Sequence, residues 1–67
     1  MKFIQVCSDI YNTEDIQVIT VYVDNITNIF KIEVKLRGIT DGYSYSFDDR
    51  KERDRIFAKI KSDLVLN

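Results

Sequence analysis

Between Phe30 and Arg37 every second residue is apolar: Phe30, Ile32, Val34 and Leu36 alternate with Lys31, Glu33, Lys35 and Arg37. A period of two marks a strand with one dry face and one wet face, and the segment predicts a half-buried strand over about 28–37. Ahead of it, Ile16 to Val23 consists almost wholly of strong β formers and predicts a strand over 16–23. Asp24-Asn25 tolerates left-handed backbone and suits a tight hairpin between the two, a longer turn through Thr27 being the alternative. After the turn formers Gly38 to Gly42, Tyr43, Tyr45 and Phe47 alternate with Ser44, Ser46 and Asp48, predicting a further strand over 43–47. Any even-length turn sets these aromatics on the face of Phe30, Ile32, Val34 and Leu36. The two alternations therefore agree with an antiparallel meander.

At the N-terminus, residues 2–7 alternate loosely and predict a strand buried on both sides. Ser8 to Asp15, rich in turn formers, predicts a loop with Ile10 and Tyr11 tucked against the body. From Asp48 the period changes. Asp49 and Glu52 have the spacing of a capping box, and Ile56, Phe57, Ile60 and Leu64 follow at helical spacing, predicting a helix over about 49–64. Asp49 with Arg53 and Glu52 with Arg55 stand at ion-pairing distance along it. The expected fold is α+β: one domain, 1–67, with a four-stranded antiparallel meander and one C-terminal helix on one face (ββββα).

This pattern leaves one surface without a cover. One side of the 16–23 strand carries Ile16, Val18, Thr20 and Tyr22, and the other carries Gln17, Ile19, Val21 and Val23. A turn of even length directs Ile19, Val21 and Val23 to the helix side and leaves Ile16, Val18, Tyr22 and Ile29 outside. An odd turn exchanges the faces. In either register apolar side chains remain outside the core, and something must cover them. Three covers are open: the 8–15 loop or Val65-Leu66, a second copy of the chain, or a different protein. Small domains often complete their cores as two-fold dimers, and edge-strand pairing is one geometry for a different protein.

Composition narrows the chemistry. At 67 residues the chain is near the lower limit for a lone hydrophobic core, which raises the expectation of a partner or homodimer. Its one cysteine, Cys7, excludes an internal disulfide and a cysteine-based zinc site, and a buried apolar role is expected for it. Without histidine the chain lacks the side chain best suited to proton transfer at neutral pH. The acidic pairs Glu14-Asp15 and Asp48-Asp49 fall in a loop and at a helix start, where solubility and capping account for them. No phosphate-cradling glycine motif occurs, and no apolar run reaches the roughly 20 residues of a membrane span. The chain is expected to be a cytoplasmic non-enzyme with no cofactor and no metal.

The net charge of −1 is unevenly spread, with Lys2 against four acids in residues 1–29 and nine cations against seven acids in residues 30–67. Lys31, Lys35, Arg37, Arg50, Lys51 and Arg55 are the candidate nucleic-acid contacts. A base-stacking platform needs rings and cations on one face, whereas here the aromatics share the apolar face. The expected function is a small protein-interaction module, an adaptor or an inhibitor of a larger protein, with Ile16, Val18, Tyr22 and Ile29 as its contact residues. The bias toward Ile, Asn, Lys and Asp fits an AT-rich genome such as that of a phage or mobile element. A nucleic-acid-associated accessory protein is the alternative.

Overall fold

The computed structural model describes residues 2–66, Leu66 by its backbone only. Among them the chain forms β1 (Phe3–Val6), β2 (Asp9–Asn12), a single 3-10 turn (Thr13–Asp15), β3 (Ile16–Asp24), β4 (Ile29–Leu36), β5 (Tyr43–Phe47) and α1 (Arg50–Leu66). The fold is α+β, as expected, but the strands number five and divide into two antiparallel sheets, β1-β2 and β3-β4-β5. The expected four-stranded meander is therefore a three-stranded one with a separate hairpin.

The segment read as a loop, Ser8 to Asp15, supplies that extra strand. Val6 pairs with Asp9, so Cys7 and Ser8 alone make the turn, with Cys7 at φ 55. Positive φ at the first central position is the II′ hairpin geometry, which normally takes glycine. Neither residue announces it. Cys7 is exposed at this turn rather than buried. Removing its Cβ relieves the left-handed strain, so Cys7→Gly is expected to stabilise the fold by about 0.5–1 kcal/mol. A higher urea midpoint at unchanged slope would register the gain. β1 is also dry on one side only: Ile4 and Val6 are buried, while Phe3 is 52% exposed. Of the two residues expected to tuck inward, Tyr11 does and Ile10, 70% exposed, does not.

β3 and β4 close through a four-residue turn, Asn25 to Asn28, with Asp24 paired to Ile29. Asn28 takes φ 59, and its amide donates to the Asp24 carbonyl at 2.7 Å. The Asp24 carboxylate accepts from the amides of Ile26 and Thr27, and these bonds hold its pKa below the usual value. The even turn sends Ile19, Val21 and Val23 to the side of Phe30, Ile32 and Val34, their direct cross-strand partners or diagonal neighbours. β5 follows in the expected register, Phe47 opposite Phe30, Tyr45 opposite Ile32 and Tyr43 opposite Val34.

The helix starts where Asp49 accepts from the Lys51 amide at 3.0 Å. Arg53 bonds Asp54 at 2.9 Å rather than Asp49, and its guanidinium lies 5.3 Å over the Phe30 ring. Ile60 meets Ile4, Val6, Tyr11, Ile32, Val34 and Phe47 in one core, with Ile56 and Phe57 packed against it. Helix and hairpin thus cover the same face of the three-stranded sheet.

Two hydroxyl contacts tie the hairpin to that sheet. Tyr45 donates to the Asp9 carboxylate at 2.5 Å, so its hydroxyl accepts from Tyr11. Burial, and then the Asp9 bond, push the Tyr45 pKa far up; burial likewise raises that of Tyr11. The network keeps its protons at neutral pH.

Candidate functional site

No helix or strand among the described residues covers the opposite face of the three-stranded sheet. Along β3 it presents Val18, Thr20 and Tyr22, and along β4 Ile29, Lys31, Glu33 and Lys35. β5 adds Ser44 and Ser46, cross-strand partners of Glu33 and Lys31. Val18 is 44% and Tyr22 38% exposed, and Ile29 is half-buried beside them. Tyr22 and Ile29 stand in diagonal register, so Ile29 of the central strand β4 extends the patch inward from Val18 and Tyr22 on β3.

Among the described residues, neither of the two segments that could cover this face from within the chain is seen to do so. The 8–15 segment lies on the other face, where the Tyr11 ring sits 6.1 Å from that of Tyr43. Val65 is 84% exposed, and the side chain of Leu66 lies outside the described residues. Tyr43 and Tyr45, expected beneath the helix, lie instead beneath the hairpin through Tyr11.

Ile16 requires a correction. The even turn was expected to leave it outside with Val18 and Tyr22. The β3–β4 register shifts between Ile16, opposite Leu36, and Val18, opposite Lys35, so Gln17 is the extra residue of a bulge. One extra residue exchanges the faces before it, and Ile16 packs against the core instead. The outer patch is Val18, Tyr22 and Ile29.

Beside the bulge a groove of about 340 Å³ opens between the start of β3 and the end of the helix. Ile16, Ile19, Phe57 and Leu64 form its apolar wall, with Lys61 at its rim. Sequence reasoning had no means to find it, because it depends on the angle between helix and strand.

The margin that carries Val18 and Tyr22 is also a free edge. β3 pairs with β4 and with no other strand among the described residues, so alternate amides and carbonyls along it lack a ladder partner. Natural edges are blunted by lysine, proline or short length. β3 is nine residues long, and its first eight, Ile16 to Val23, carry neither charge nor proline. The guanidinium of Arg53 does reach one carbonyl of this strand, that of Tyr22, at 3.2 Å.

The candidate nucleic-acid residues do not form one surface. Lys31 and Lys35 point to the bare face, whereas Arg50 stacks over Phe30 on the helix side at 5.5 Å. Lys51 and Arg55 share the helix with Arg50. The sheet stands between the two groups. Arg37 leaves both and bonds the Glu14 carbonyl at 3.1 Å.

Cys7 is not an activated thiol. Partial desolvation of the sulfur, then the charges of Asp9 and Glu52, raise its pKa, opposite to what a nucleophile requires. No helix among the described residues is long and apolar enough to cross a membrane. No family model, curated protein or solved structure significantly matches this chain.

Proposed function

We propose that this chain is a small non-enzymatic interaction module that works through the bare face and free edge of its three-stranded sheet. The observation that carries this reading is the coincidence of the two features on β3. Val18 and Tyr22 project from the strand whose outer backbone edge has no strand partner among the described residues, and Ile29 extends their patch. Strand addition uses just this combination, with backbone groups supplying affinity and alternate side chains supplying selectivity. Adaptor or inhibitor is the role such a module fits, because it can bind and block without performing chemistry of its own.

Tyr22→Asp and Ile29→Asp test it. Both positions lie off the core, so circular dichroism and thermal unfolding should stay native, with a loss of no more than about 1 kcal/mol. Association with the protein partner, read by co-purification from the producing cell, should disappear. Unfolding of both variants in isolation would make the face ordinary core and end this reading. Contact with nucleic acid is the second reading, and division of the basic residues between two faces counts against it. Retention on a heparin column that falls steeply with salt would favour it.

A further inference from the structure

We infer that the occupant of the β3 edge is a second copy of this chain, paired antiparallel about a two-fold axis through Thr20, so that two sheets join into one of six strands. This rests on the reading of β3 as the contact edge and names what meets it. An axis normal to the sheet keeps outer-face residues opposite outer-face residues, so it must pass through a residue rather than between two.

Axes from Ile19 to Val23 are then available within the regular part of the strand. With the axis at Thr20, Val18 of one copy stands opposite Tyr22 of the other, Ile19 opposite Val21, and Thr20 opposite Thr20. Aromatic with β-branched and threonine with threonine are favourable cross-strand pairs. An axis at Val21, Tyr22 or Val23 would bring the charged Asp24 into the pairing, opposite Val18, Thr20 or Tyr22 of the other copy. An axis at Ile19 would carry the pairing into the Gln17 bulge on both sides of the centre.

Charge points the same way. Ile16 to Val23 is uncharged, so two copies meet there without like-charge opposition. The other edge of the sheet, β5, is five residues long and bounded by Asp41, Asp48 and Asp49, which would oppose one another in a symmetric pair. On the helix side, the Thr20 register sets Val21 of one copy beside Ile19 of the other, at the apolar wall of the groove. The Tyr22 carbonyl that Arg53 reaches stays available, because a carbonyl oxygen accepts two hydrogen bonds.

Sedimentation equilibrium of the whole chain is the first measurement, with a mass twice the 7.9 kDa of one chain expected at micromolar concentration. Thr20→Lys opposes two ammonium groups on the axis and should raise the dissociation constant about tenfold or more, with native circular dichroism. Thr20→Cys in a Cys7→Ser background should cross-link to a disulfide dimer under mild oxidation. Ile26→Cys in the same background, at the exposed hairpin tip, should not. A monomer at millimolar concentration, a dimer indifferent to Thr20→Lys, or equal cross-linking at the two cysteines would each overturn the inference. If Thr20→Lys fails to fold, the cysteine pair decides. A monomer whose partner binding is still abolished by Tyr22→Asp would overturn this inference alone and leave the proposed function standing.

Discussion

Ile32→Ala is expected to cost about 2–5 kcal/mol, the range for emptying a fully buried aliphatic site. Ile32 is 0% exposed on the central strand, between Val21 on one side and Tyr45 on the other. Its surroundings leave little room to collapse, since β4 is held in register on both flanks and capped by Ile60. At about 0.05–0.15 kcal/mol per residue, a chain of 67 residues holds only about 3–10 kcal/mol in total. The variant should therefore show a collapsed thermal midpoint or be largely unfolded at 25 °C. Ile26→Ala supplies the contrast. Ile26 is 92% exposed at the hairpin tip, so the same chemical change should stay within about 0.5 kcal/mol. Urea titrations of the two proteins would measure the difference directly.

Tyr11→Ala should be comparably damaging, at about 3–5 kcal/mol for loss of a buried ring. The reason is architectural. Among the described residues no backbone ladder links β1-β2 to the three-stranded sheet, so side chains hold the hairpin in place. Tyr11 supplies a buried ring, a contact with Tyr43 and a hydroxyl bond to Tyr45. Without it, Ile4 and Val6 should detach from Ile60, and amide exchange should quicken across 3–12 before it does in β4. Tyr11→Phe separates the hydroxyl from the ring and should cost only about 1 kcal/mol.

The same network sets an alkaline limit. Tyr11 and Tyr45 both have folded-state pKa values above the ordinary 10.0, Tyr45 through burial and the Asp9 carboxylate. A group whose pKa rises on folding contributes stability in full below its unfolded value. That contribution is lost as pH climbs through the folded value. Wild type should thus lose stability as pH rises above about 10 more steeply than the Tyr11→Phe/Tyr45→Phe double variant. Parallel curves would show that the hydroxyls do not couple folding to protonation.

Much of this architecture could be read from residue order. The strict alternation of Phe30 to Arg37 has one solution, because a one-residue slip would put Lys31, Glu33 and Lys35 into the core. The aromatic alternation of 43–47 and the helical spacing of Ile56, Phe57, Ile60 and Leu64 were equally constrained. β2 was hidden for a local reason. A two-residue turn at Cys7-Ser8 without glycine gives no signal, and Asp9-Ile10-Tyr11-Asn12 has the composition of a loop. Its strand character comes from pairing with β1, which is a relation between segments. The Gln17 bulge is likewise invisible in 16–23, where every residue favours a strand and nothing marks the extra one.

The candidate site divides along the same line. That β3 has apolar residues on both sides followed from sequence alone, since no turn length can turn both sides inward. Which of them remain outside was decided by the four-residue turn and the bulge, which keep Val18 and Tyr22 outside and take Ile16 in. That the 8–15 segment leaves this face bare depended on Tyr11 finding Tyr43 and Tyr45 on the opposite side of the sheet. Periodicity specifies how each segment divides into faces, because that is set by backbone geometry within the segment. Which face meets which neighbour is set by contacts between segments, and only the folded chain brings those together.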